Sequence, residues 1–130
     1  MSTIGKWIKS ADFKNEKHVP VIEVSGRPKS GEQFTVTVTV GKEIPHPNTP
    51  EHFIQWLKLY FVEEGGKLVY ELGKAELSAH GASVQKSDPG PAYTAPSASF
   101  NITLNGSGTL MAESYCNIHG LWESSEKVSI

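Results

Sequence analysis

FTVTVTV, residues 34–40, alternates Phe34, Val36, Val38 and Val40 with Thr35, Thr37 and Thr39 without a break. Successive side chains of an extended strand point to opposite faces, so this period of two predicts a strand with one face in a core and the other in water. On its N-terminal side SGRPKSGEQ (25–33) reads as a loop. Before that, VPVIEV (19–24) reads as a strand that Pro20, lacking an N–H, confines to an edge or a strand start. On the C-terminal side GKEIPHPNTP (41–50) contains Pro45, Pro47 and Pro50. It cannot be regular structure, and it forms a stiff loop carrying His46.

The rest of the chain repeats the pattern. FIQWLKLYFV (53–62) fits a helical stripe or a strand apolar on both faces; its length, aromatic content and β neighbours favour the strand. Such a strand needs a second covering surface, either another sheet or another subunit. Glu64-Gly65-Gly66-Lys67 predicts a hairpin turn into Leu68–Leu72, followed by Lys74–His80. Gly81–Ser97 has little apolar periodicity and is long for a mere connection, which suits a covering role. Ala98–Leu104 and Thr109–Cys116 alternate again, and Asn105-Gly106-Ser107-Gly108 between them predicts a hairpin. Glu126–Ile130 reads as an edge strand. Ile4, Trp7 and Ile8 are spaced for a helical turn or two capped by Ser2 or Thr3, and Trp7, Trp56 and Trp122 are expected in packing. Seven or eight short strands with no long helix predict an all-β chain folded as a β-sandwich.

At 130 residues and 14.2 kDa the chain is one domain, spanning 1–130. A formal charge of −2 and a pI near 6.2 provide no global field for nucleic acid or anionic lipid, so any attraction for an anion must be local. The single cysteine, Cys116, excludes an internal disulfide or a multi-cysteine metal site and suggests a reducing, cytoplasmic setting. Lysines 6, 9, 14 and 17 precede no apolar run, so neither an export signal nor a membrane span is expected.

The imidazoles and the thiol are His18, His46, His52, His80, Cys116 and His119. His46 and His52 bracket the proline-rich loop, and Cys116 and His119 form a Cys-x-x-His pair where a strand ends. Cys-x-x-His alone is weak, because a lone buried cysteine is usually just a small hydrophobe. A histidine held between Pro45 and Pro47, however, has the rigid support a metal ligand needs. If four histidines and one thiolate converge, they exceed the four ligands of a structural zinc centre and leave one octahedral position open. By softness such a set suits iron, copper or zinc, and the open position points to catalysis. Blue copper is the main competitor, but it wants a methionine after the pair, whereas Met1 and Met111 both precede Cys116. Iron is favoured.

Glu16-Lys17-His18-Val19-Pro20, the run Gly41 to Thr49 with Glu51-His52, and Ser114 to Trp122 together resemble the superoxide reductases of the one-iron, neelaredoxin type, in the desulfoferrodoxin family. The similarity runs over nearly the whole chain. The resemblance implies a seven-stranded immunoglobulin-like sandwich around a mononuclear iron, with His18, His46, His52 and His119 as equatorial ligands and Cys116 as axial thiolate. It further implies that Glu16 can take the sixth position on ferric iron and that Lys17 guides the superoxide anion. The implied reaction is one-electron reduction of superoxide to hydrogen peroxide, re-reduced by a separate donor, with rubredoxin expected, in a cytoplasmic homotetramer. Phe53 stands where relatives often carry a second histidine, a position that is not a ligand. His80 matches no ligand position and reads as structural. The alternative is a non-catalytic iron electron-transfer protein that merely retains the ligands.

Overall fold

The computed structural model describes residues 2–86 and 89–130. Seven strands run β1 (Val21–Val24), β2 (Gln33–Thr39), β3 (Ile54–Glu63), β4 (Tyr70–Glu76), β5 (Ser97–Thr103), β6 (Gly108–Cys116) and β7 (Gly120–Val128). They form two antiparallel sheets ordered β1-β2-β5 and β4-β3-β6-β7. The result is the immunoglobulin-like sandwich, differing from the constant-type order in that β4 pairs with β3 instead of joining β5.

The alternation in 34–40 works as expected. Phe34, Val36, Val38 and Val40 are buried against Leu57, Leu59 and Phe61 of β3 and Leu110 and Ala112 of β6. On the outer face Thr35, Thr37 and Thr39 bond across to Asn101, Ser99 and Ser97 of β5 at 2.7, 2.8 and 2.9 Å. These pairs fix the register, since a slip of one residue would turn every valine to water. Pro20 immediately precedes β1, an edge strand.

Several expectations change. Asn105-Gly106-Ser107-Gly108 does not close a hairpin: β5 and β6 lie in different sheets, so the turn carries the chain across the sandwich. Tyr70–Glu76, drawn from both the 68–72 and 74–80 runs, forms one strand, β4, whose pairing with β3 shifts register between Leu59 and Tyr60; Leu68 and Val69 stay outside it and exposed, and residues 77–80 lie beyond its end. The C-terminal edge strand begins at Gly120 rather than Glu126. β3 buries Leu57, Leu59 and Phe61 but leaves Trp56, Lys58, Tyr60 and Val62 half-buried on its outer face. The N-terminal helix is a single 3₁₀ turn, Ile4–Lys6, with no side-chain cap, and Trp7 is 67% exposed rather than packed. The arm after it pairs with β7: Lys9 N–H donates to Leu121 O at 3.1 Å and Glu123 N–H to Lys9 O at 2.8 Å. Of the segment 81–97, residues 87 and 88 lie outside the described residues, as does Met1.

Candidate metal centre

The period of two that buries Leu110 and Ala112 continues along β6 and turns Ser114 and Cys116 inward, both fully buried. Cys116 therefore sits at the end of the core. Residues 117–119 form the loop of the β6–β7 hairpin, in which Cys116 pairs with Gly120; Gly120 has φ +81°, the left-handed conformation that such three-residue loops need. This loop turns His119 back over Cys116, with Nδ1 3.8 Å from Sγ and the backbone N–H donating to Sγ at 3.4 Å.

His18 enters from the segment before β1. Ser114 Oγ donates to its carbonyl at 3.0 Å, and Trp122 stacks on its ring with centroids 5.0 Å apart and planes 13° off parallel. His18 Nδ1 lies 2.6 Å from Glu16 Oε1, which also accepts from the His18 backbone N–H at 3.0 Å. With Nδ1–H given to the carboxylate, the lone pair of Nε2 faces the cluster.

His46 and His52 come from the loop between β2 and β3. The loop can turn there because Gly41, at φ +82°, has no side chain: a Cβ on it would lie 2.7 Å from the backbone nitrogen of His46. His46 Nδ1 donates to Pro47 O at 2.6 Å. His52 closes a turn with Thr49 through reciprocal backbone bonds of 3.0 and 3.2 Å. Asn117 ties that turn to the Cys116 hairpin: its side chain accepts from Phe53 N–H and donates to Glu51 O, each at 2.9 Å.

These three segments bring one cluster together. The ligand atoms of His18, His52, Cys116 and His119 all lie within 4.8 Å of one another. The His46 ring centroid is 4.8 Å from that of His18 and 4.7 Å from that of His52. His46 Nε2 and His52 Nε2 are buried without any hydrogen-bond partner. Buried nitrogens are rarely left bare, so two of them aimed into one cluster of donors is the mark of ligands. Two nitrogens about 2.1 Å from a shared metal and about 90° apart sit about 3.0 Å from each other; His18 Nε2 and His119 Nδ1 are 3.1 Å apart. The residues fit a metal.

Electrostatics prepare them. Burial pushes the His46 imidazole down to about 4 and lowers His18 and His52 as well, with neighbouring rings and Lys17 adding repulsion. The three rings are neutral at pH 7, and a metal need displace no proton from them. Burial alone would raise the Glu16 carboxyl, but the bonds from His18 and the Lys17 charge hold it below its ordinary value. Lys17, half-buried, thus makes its charge felt by Glu16, His18, His46 and His52. His119 is the exposed member of the set and Ile118 beside it is 56% exposed, so the cluster lies at the protein surface.

The structure brings His18, His52, Cys116 and His119 together in one cluster with the His46 ring beside His18 and His52, and His80 is outside it. The supporting residues Ser114, Asn117 and Trp122 were not singled out as such. Ser114 and Asn117 flank Cys116 in sequence, but nothing in the pattern says what their side chains reach.

The desulfoferrodoxin family model matches residues 10–125. A superoxide reductase of Pyrococcus furiosus is 51% identical over 121 residues, covering 93% of this chain and 95% of its own length. A neelaredoxin of Megalodesulfovibrio gigas is 48% identical, covering 93% of each chain. The solved structure of the reduced superoxide reductase (neelaredoxin) of Archaeoglobus fulgidus superposes with a TM-score of 0.85 at 51% identity, covering 95% of this chain and 98% of that one. This chain therefore belongs to the desulfoferrodoxin family, among relatives that are named superoxide reductases and neelaredoxins.

Proposed function

We propose that this chain is a superoxide reductase, reducing superoxide by one electron to hydrogen peroxide at a single iron held by His18, His46, His52, His119 and Cys116. The observation that carries the reading is the donor set: four ligand atoms within 4.8 Å, with the bare His46 Nε2 beside them. Iron bound there supplies a one-electron redox couple at a site open to a small anion.

The chain's own residues do the rest. Lys17 offsets the net charge of −2 and draws the anion to the site, while the exposed His119 edge leaves a way in. The His119 backbone N–H donates to Cys116 Sγ and orients the sulfur toward the cluster. Trp122, Ser114 and Glu16 hold the His18 ring in one orientation and tautomer. Glu16 is further proposed as the sixth ligand of ferric iron, a role that requires its carboxylate to leave His18 Nδ1. Each superoxide takes up one electron and two protons, so an electron must return from outside; rubredoxin is the proposed donor, since one cysteine leaves this chain no second cysteine-ligated centre. The family model spanning 10–125 supports a single iron domain over 1–130, and the half-exposed Trp56, Tyr60 and Val62 on β3 support a subunit contact in a homotetramer. A cytoplasmic location is proposed from the lone thiol; among the described residues no helix is long and apolar enough to cross a membrane.

Substituting Cys116→Ser tests the reading. Loss of superoxide reduction with the fold retained is expected, and wild-type turnover would overturn it.

A further inference from the structure

His80 is the one histidine outside the cluster, yet it is only 9% exposed and every polar atom of its ring is engaged. Nδ1 lies 2.7 Å from Asn48 Oδ1 and Nε2 lies 2.6 Å from Leu77 O. The ring face stacks on Phe53, with centroids 3.8 Å apart and planes 13° off parallel. Asn48 follows His46 by two residues, and Phe53 directly follows His52. One buried ring thus grips the chain just beyond each of the two histidines whose Nε2 atoms are bare. The grip is anchored behind: Asn48 Nδ2 donates to Thr94 O at 3.1 Å, which fixes the end of the amide that faces His80. Thr94 in turn exchanges bonds with Ala79, its N–H donating to Ala79 O at 2.7 Å and its Oγ1 accepting from Ala79 N–H at 3.1 Å. Phe53 is held from its backbone side by Asn117. A leucine would fill the His80 position as well if packing were all it did; a buried polar ring persists where its bonds are needed.

We propose that His80 and Asn48 form a brace that positions His46 and His52 for the metal, and that this is why the segment after β4 folds back over the loop. The inference rests on the reading that His46 and His52 are ligands. Groups that support ligands from outside change metal affinity about 10–100-fold when removed, and a ligand set tolerates displacements of only about 0.5 Å.

The test uses the full chain with Co²⁺ as probe, its affinity measured by competition with a chelator and its environment by the near-ultraviolet thiolate-to-cobalt absorption. His80→Phe keeps the stack and removes both polar contacts of the ring nitrogens; Asn48→Ala removes the loop side of the same contact. Each is expected to weaken Co²⁺ about tenfold and shift the absorption. The double variant should be scarcely weaker than either single one, because both break one unit. Wild-type affinity and spectrum in both single variants, or effects that simply multiply, would overturn the brace while leaving the metal site standing. Failure of the unaltered protein to bind Co²⁺ would overturn the metal reading and the brace with it. Should His80→Phe not fold, the half-buried Asn48→Ala decides alone: weakened binding with a shifted absorption supports the brace, and unchanged binding overturns it.

Discussion

Gly41→Ala separates the metal loop from the rest of the fold more sharply than changing a ligand does. Gly41 has φ +82°, and an alanine Cβ there would meet His46 N at 2.7 Å and His46 Cβ at 3.3 Å. The left-handed backbone costs an alanine about 1–2 kcal/mol, and forced overpacking adds about 1–3 kcal/mol. Gly26 provides the control, since its φ is +61° but a Cβ there meets nothing within 4 Å. Gly26→Ala should therefore lower the stability of the metal-free protein by about 1–2 kcal/mol and leave metal affinity unchanged. Gly41→Ala should cost about 2–5 kcal/mol and, by pushing the His46 backbone aside, weaken Co²⁺ or Fe²⁺ binding about tenfold or more. Urea unfolding and chelator competition measure the two effects. If the two variants behave alike, or if Gly41→Ala binds metal as the wild type does, the contact between Gly41 and His46 does not set the ligand.

Lys17→Ala should slow the second-order reaction with superoxide severalfold and flatten its dependence on ionic strength, as pulse radiolysis across a salt series would show; an unchanged rate and salt slope would remove Lys17 from anion guidance. The metal-free protein should lose stability as pH falls from about 6.5 toward 4. His46 is pushed down to about 4, and His18 and His52 are also lowered, so across that window the unfolded chain binds more protons than the folded one and stability rises with pH. Glu16, also lowered, acts in the same direction at still lower pH. Urea midpoints measured from pH 4 to 8 check the sign, and a midpoint that rises on acidification would contradict it.

The sequence disclosed most where one local rule decides the outcome. The valine–threonine alternation placed β2 within a residue of its observed limits, because a sandwich strand has one buried face and one wet face. The grouping of His46, His52, Cys116 and His119 was legible because histidines in a proline-stiffened loop and a Cys-x-x-His pair at a strand end are unusual chemistry in restricted conformations. Asn105-Gly106-Ser107-Gly108 misled because a turn signal says that the chain reverses, not that the strands on either side share a sheet. The first half of β7 was missed because, apart from Leu121 and Trp122, Gly120–Ser125 is polar and carries no alternation; it is a strand through pairing with β6 on one side and with the Lys9 arm on the other. Trp7 shows that a tryptophan need not be packed, while Trp122 found its place against His18 rather than in the general core. Ser114, Asn117 and Asn48 act through contacts with residues distant in sequence, which no spacing rule reveals.

The most direct test of the proposed chemistry is the yield of hydrogen peroxide and dioxygen per superoxide consumed by the iron-loaded protein supplied with reduced rubredoxin. Reduction predicts one peroxide per superoxide and no dioxygen. Half a peroxide with half a dioxygen, the stoichiometry of dismutation, would contradict it.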